Sequence, residues 1–224
     1  MDFNSIIYNV ALSVPGFLMA VVFHEAAHAY AAHYFGDDTA NRQGRMTLNP
    51  VVHIDMLGTV IFPLIGIMAG FMAIGWATPV PIDSRNFKNF RKGLFWVSFA
   101  GPLVNILLGI VCGFFMALMA INFPDFSYTG VITQILSYSI SINFLLAAFN
   151  LLPIPPLDGA RMISSFLNHR QMRVYESFAQ YTPYLFLMLM ALSFMGIHIL
   201  GYLLAPIQSI GGLVTVFWFR LLGS

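Results

Sequence analysis

His24, Glu25 and His28 stand in the order His-Glu-x-x-His. On a helix, side chains four positions apart lie one turn apart on the same face, so the two imidazoles can converge on one metal ion with Glu25 beside it. That arrangement suits zinc-assisted hydrolysis. Neutral imidazoles leave the ion positive enough to acidify a water, and the adjacent carboxylate can take that water's proton. A pattern this short arises often by chance, and its surroundings give this one its weight. Between Ser5 and Ala32 these three are the only histidine or charged side chains, in a run long enough to cross a bilayer. An ionisable group at membrane depth is costly and is by default functional. The bland alternative is a buried His/Glu pair satisfied by neighbouring helices.

The elements that must position this motif follow from composition. Of 224 residues, 58% are hydrophobic and 8% charged, against about 25% charged in a soluble domain. The chain reads as an all-α polytopic membrane protein. A net charge of +1 without a basic cluster argues against nucleic acid as a partner. The single cysteine, Cys112, sits in an apolar run and reads as a small packing residue. Asp2 stands where a signal peptide would carry Lys or Arg, and the first apolar run contains the metal motif, so a retained helix is expected.

Apolar segments fall at about 5–34, 57–75, 94–121, 131–152, 183–204 and 206–219, each judged against the roughly 20 residues of a helical span. About five to six transmembrane helices are expected. The connections are too short to hold a water-soluble domain, so 1–224 is read as a single transmembrane domain. Its metal-site core covers about 5–165 and its closing helices about 180–220. Gly36 is a plausible end for the first helix. Segment 57–75 is punctuated by Pro63, Gly66 and Gly70, and the prolines of Gly75-Trp76-Ala77-Thr78-Pro79-Val80-Pro81-Ile82 argue for an extended edge or loop. A re-entrant or extended segment is expected near 57–82. Pro102 should bend the third apolar segment, and Asn105 reads as interhelical glue. Three prolines at 153, 155 and 156 stop the helix that precedes Asp158. His198 reads as a packing residue.

Charge then ties topology to chemistry. Positive residues cluster at 42–45, 85–92 and 161–173, whereas the connection 122–130 holds only Asp125. If 57–75 enters and returns on one side, all three basic loops are cytoplasmic. Such a course breaks backbone at membrane depth, which only protein or a wet cavity can cover. A catalytic zinc usually has three protein ligands and a water, so a third ligand is needed. Asp158 is best placed, because with a re-entrant 57–75 it emerges near His24 at the cytoplasmic third of the membrane. His53 is the runner-up, either as a ligand or as a cavity residue assisting the substrate. His33 and His169 are the further candidates, His33 facing away from the stripe of His28 and His169 set among Arg170 and Arg173, with Asp55, Asp37 and Asp38 as outsiders.

Together, His24-Glu25-x-x-His28, Asn49-Pro50, Gly75-Trp76-Ala77-x-Pro79-Val80, Gly101-Pro102-x-x-Asn105 and Asn150-x-x-Pro153-x-Pro155-x-Leu157-Asp158-Gly159 resemble the site-2 protease family of intramembrane zinc metallopeptidases. The likeness runs from about 15 to 165. It implies one zinc per chain held by His24, His28 and Asp158, with Glu25 as catalytic base and Asn150 near the substrate or oxyanion. His53 and Asn105 join Asn150 as candidates for contact with substrate. It further implies a transmembrane protein substrate met within the lipid bilayer, with 57–82 beside the active site. The extended stretch 76–82 could pair with a locally unwound substrate strand. Unlike many members, this chain has no room for PDZ or CBS modules. A metal or proton transporter and a catalytically silent zinc-binding scaffold are the alternatives from other functional classes. The clustering of ionisable residues at one depth counts against the transporter, and the full set of zinc-site residue types counts against the scaffold.

Overall fold

The computed structural model describes residues 3–61, 78–197 and 199–223. Among them eight α-helices and no strand occur. They are α1 (Phe3–Phe35), α2 (Thr39–Arg42), α3 (Phe90–Asn122), α4 (Thr129–Asn150), α5 (Asp158–Ser164), α6 (His169–Ser177), α7 (Thr182–Phe194) and α8 (Ile199–Leu222). Helices α1, α3, α4 and α8 are long and apolar enough to cross a membrane. The protein is thus an integral membrane protein built from helices.

Each boundary near the metal motif has a local cause. Gly36 ends α1 with φ +109°, a conformation open to glycine at little cost. Gly36 N–H then donates to His33 O at 3.0 Å and Asp37 N–H to Ala32 O at 2.9 Å, the two bonds of a Schellman cap. Asn89 opens α3 by accepting Lys92 N–H at 3.0 Å. Helix α4 ends at Asn150, ahead of the prolines, and α5 starts at Asp158.

The closing region divides at a different place from the apolar segments. Pro206 lies inside α8, and the break comes at Gly196, which has φ +83°. A proline deletes one backbone hydrogen bond and a membrane helix can absorb that loss, whereas a left-handed glycine reverses the chain. Helix α7, of 13 residues, is too short to span. Most of the 57–75 segment and His198 lie outside the described residues.

Helices α1, α3 and α4 pack on one another, and α8 lies against α3 and α4. Without water to expel, close van der Waals fit holds such helices together. Gly16 shows how close: a Cβ there would stand 2.8 Å from the Ser139 Cα on α4. Between α3 and α4, buried Cys112, Ile140 and Phe144 cluster with Met19 and Ile106, which is the packing role expected of the cysteine.

The connection from α1 to α3 begins and ends at one end of this bundle. Lys88 N–H donates to Phe35 O at 2.9 Å, and Thr78 N–H donates to His53 O at 3.0 Å. Asp37, 1% exposed, ties the connection down. Its carboxylate accepts Thr39 N–H and Oγ1–H, Asn86 Nδ2–H and Asp83 N–H at 2.5–3.2 Å. Helix α4 runs antiparallel to α3 and so delivers Asp158 to the same end.

Candidate metal centre

His24 and His28 face α3 from the last third of α1 and are 5% and 6% exposed. Their Nε2 atoms are 3.1 Å apart. Asp158, at the first turn of α5, places Oδ2 3.2 Å from His24 Nε2 and 3.3 Å from His28 Nε2. Three donor atoms on three residues thus form a nearly equilateral triangle. Donors about 2.0–2.1 Å from a tetrahedral zinc stand about 3.3 Å from one another.

In the neutral imidazoles the nitrogens meeting there are bare. His28 Nδ1 is 2.7 Å from Val97 O. A carbonyl oxygen can only accept, so Nδ1 carries the hydrogen, and in the neutral imidazole Nε2 presents a lone pair. His24 Nδ1 is 2.6 Å from Asn105 Oδ1, which does the same for the second imidazole. Asp158 Oδ2 is buried without a hydrogen-bond partner. Three inward lone pairs with no hydrogen between them would repel one another, and a bound cation removes that repulsion. The donor set of two imidazoles and one carboxylate fits zinc. Among the described residues these three are the histidine, cysteine and acidic side chains whose donor atoms converge in this way.

Backbone shape makes room for the ion. Gly101 lies on α3 against the Nε2 edges of the imidazoles, where a Cβ would stand 2.5 Å from His28 Nε2 and 2.7 Å from His24 Nε2. Gly159, next to Asp158, packs on the turn after α4, where a Cβ would come within 2.6 Å of Leu152 O. Val80 N–H donates to Glu25 Oε2 at 2.9 Å. Because Pro79 and Pro81 carry no N–H, the donor on this stretch that reaches Glu25 sits between two residues that have none.

The remaining sequence candidates lie elsewhere or are otherwise engaged. His53 is fully buried; its Nε2–H donates to Thr47 O at 2.9 Å, so it braces the connection. His33 pairs with Asp38 at 3.0 Å on the surface. His169 opens α6. Asp55 Oδ1 accepts Gly58 N–H, and Asp37 is consumed by its loop. Asn105 bridges α1 and α3, donating to Ala20 O at 3.0 Å while its oxygen holds His24. Asn150 donates to Leu146 O at 3.1 Å from the last turn of α4. Val97 O and Val80 N–H were invisible to sequence reasoning, since backbone groups carry no signature.

Comparison with known proteins bears on the family of the chain. The family model for peptidase family M50 matches residues 119–193, a stretch that contains Asp158. The chain is 41% identical over 152 residues to "Putative zinc metalloprotease YwhC" of Bacillus subtilis, covering 67% of this chain and 66% of that protein. It is 28% identical over 167 residues to the similarly named Rip2 of Mycolicibacterium smegmatis, covering 72% of this chain and 60% of that one. It is 26% identical over 168 residues to zinc metalloprotease MJ0392 of Methanocaldococcus jannaschii, covering 75% of this chain and 37% of that one. These matches therefore span about two thirds or less of the relatives' own length. No solved structure gives a significant match.

Proposed function

Because the chain belongs to peptidase family M50, the site-2 protease family, we propose that it hydrolyses peptide bonds of transmembrane or membrane-associated protein segments. His24, His28 and Asp158 hold one zinc and Glu25 is the general base. The observation that carries the reading is the triangle of donors 3.1–3.3 Å on a side, with Glu25 one residue from a ligand. When bound, zinc supplies the Lewis acidity that brings the pKa of a water toward about 7.

The chain's own residues do the rest. Val97 O and Asn105 Oδ1 keep both imidazoles in the metal-binding tautomer. Glu25, aimed through one oxygen by Val80 N–H, takes the proton from the attacking water with the other and passes it to the leaving amine. Asn150 spends one amide hydrogen on Leu146 O and keeps the second for a developing oxyanion. On the extended stretch, the N–H groups of Thr78 and Val80 are already used. The carbonyls of Thr78 and Pro79 already accept from Arg45 Nη2–H, so an unwound substrate strand lying beside residues 78–82 finds chiefly the carbonyls of residues 80–82 to pair with.

The metal end of the bundle faces the cytoplasm in this reading. Arg42, Arg45, Arg85, Lys88, Arg161, Arg170 and Arg173 lie on the connections and short helices at that end and Arg91 and Lys92 in the first turn of α3, whereas the α3–α4 connection holds Asp125 and no cation.

The test is zinc content together with cleavage of a panel of membrane-spanning peptides, for wild type, Glu25→Gln and Asp158→Ala. About one zinc per chain in wild type and Glu25→Gln, loss in Asp158→Ala, and cleavage by wild type alone would support the assignment. Full zinc in Asp158→Ala would overturn the ligand set. Zinc without cleavage by wild type would favour a scaffold.

A further inference from the structure

Asn143 sits in the middle of α4 and is fully buried. No part of the chemistry above uses it. Its Nδ2 lies 2.9 Å from Ser139 O, one turn back on the same helix, and its Oδ1 lies 2.9 Å from Asn105 Nδ2. Asn105 in turn presents Oδ1 to His24 Nδ1 at 2.6 Å and gives its second amide hydrogen to Ala20 O at 3.0 Å. A single chain of contacts therefore runs from a carbonyl of α4, through two amides, to a metal-binding imidazole on α1.

Every direction in this chain is forced. Ser139 O can only accept, so the nitrogen of Asn143 must face it and the oxygen of Asn143 must face α3. That oxygen can only accept, so Asn105 turns its nitrogen toward it and toward Ala20 O, which leaves the Asn105 oxygen for His24. Nδ1 of His24 must then carry the hydrogen, and in the neutral ring Nε2 is left bare. All four polar contacts of the two amides lie within the protein, so flipping Asn143 would set donor against donor and flipping Asn105 would set its oxygen against the oxygens of Asn143 and Ala20.

We propose that Asn143 is a positioning residue for the metal centre, holding Asn105 in the orientation that fixes the metal-binding tautomer of His24 from the far side of the bundle. The inference rests on the reading of His24 as a zinc ligand. Groups that orient a ligating histidine contribute about 10–100-fold to metal affinity. Because Ala20 O also holds Asn105, the lower end of that range is expected for Asn143.

The experiment uses the full chain in detergent or lipid nanodiscs, as wild type, Asn143→Ala and Ser139→Ala. Zinc affinity is measured by chelator competition. The tautomer of His24 is read in the metal-free protein from its imidazole 15N shifts, assigned by their loss in His24→Gln. Wild type should show the Nδ1–H form of His24. Asn143→Ala should bind zinc about tenfold more weakly and populate the Nε2–H form. Ser139→Ala removes the hydroxyl and keeps the carbonyl, so it should match wild type in both measurements. Unchanged affinity and tautomer in Asn143→Ala would overturn the proposal. So would a wild-type His24 in the Nε2–H form, which needs no variant to fold. A wild type with the Nδ1–H form and no zinc affinity would instead sink the zinc reading while leaving the relay intact.

Discussion

Gly101 and His28 approach so closely that a methyl group on Gly101 would stand 2.5 Å from His28 Nε2. The missing side chain on α3 is therefore part of the metal centre as much as the imidazoles are. Gly101→Ala must push the imidazoles of α1 away from Asp158 or separate the two helices. Zinc affinity should fall at least tenfold while the helical circular dichroism stays that of wild type. Normal zinc binding by Gly101→Ala would show that the seam relaxes freely.

Gly159 makes the matching demand on the other side of the ion. A Cβ at Gly159 would meet the backbone of Leu151 and Leu152, atoms that cannot turn aside as a side-chain tip can. Gly159→Ala should therefore shift the start of α5 and carry Asp158 away from the histidines. Its effect on zinc affinity should resemble that of Asp158→Ala and exceed that of Ala160→Ser, one position further on. A Gly159→Ala variant that keeps wild-type affinity would remove the argument.

These two glycines mark what sequence reading could reach. Gly36, the prolines after Asn150 and the His-Glu-x-x-His spacing act through local geometry, so the helix ends and the pairing of the two imidazoles on one face were legible from residue types. Asp158 was reachable because charge and the need for a third ligand pointed to the same end of the bundle. The contacts that finish the site were not reachable, because Val97 and Val80 contribute backbone atoms and Asn143 meets Asn105 across two helices. The apolar segments 183–204 and 206–219 did not mark the break between the closing helices, because Pro206 is carried inside α8 and the left-handed Gly196 turns the chain.

Asp37 links stability to pH. Burial alone would push its pKa up, but the hydrogen bonds from Thr39, Asn86 and Asp83 outweigh burial and hold it below the ordinary carboxylate value. A carboxyl whose folded pKa is depressed stabilises the fold fully above its unfolded pKa of about 4 and loses that contribution as the pH falls through the folded value. Asp37→Asn can no longer accept all four donors. It should destabilise the protein by about 2–3 kcal/mol at pH 7, and the gap from wild type should narrow on acidification below about pH 4. Thermal unfolding in detergent at a series of pH values measures both. A gap that stays constant with pH would assign the loss to packing.

Val80 separates the aim of the base from the holding of the metal. Its N–H donates to Glu25 Oε2, and the prolines on either side offer no replacement. Val80→Pro deletes that donor and Val80→Ala keeps it while trimming the side chain. A hydrogen bond to a charged group is worth about 1.5–3 kcal/mol, which corresponds to roughly ten- to hundredfold in rate. Val80→Pro should lose that much kcat with full zinc content, whereas Val80→Ala should stay within a few-fold of wild type. If the two variants lose activity equally, the Val80 side chain matters through its packing against Ala29 and Ala40, and the hydrogen bond to Glu25 does not set the rate.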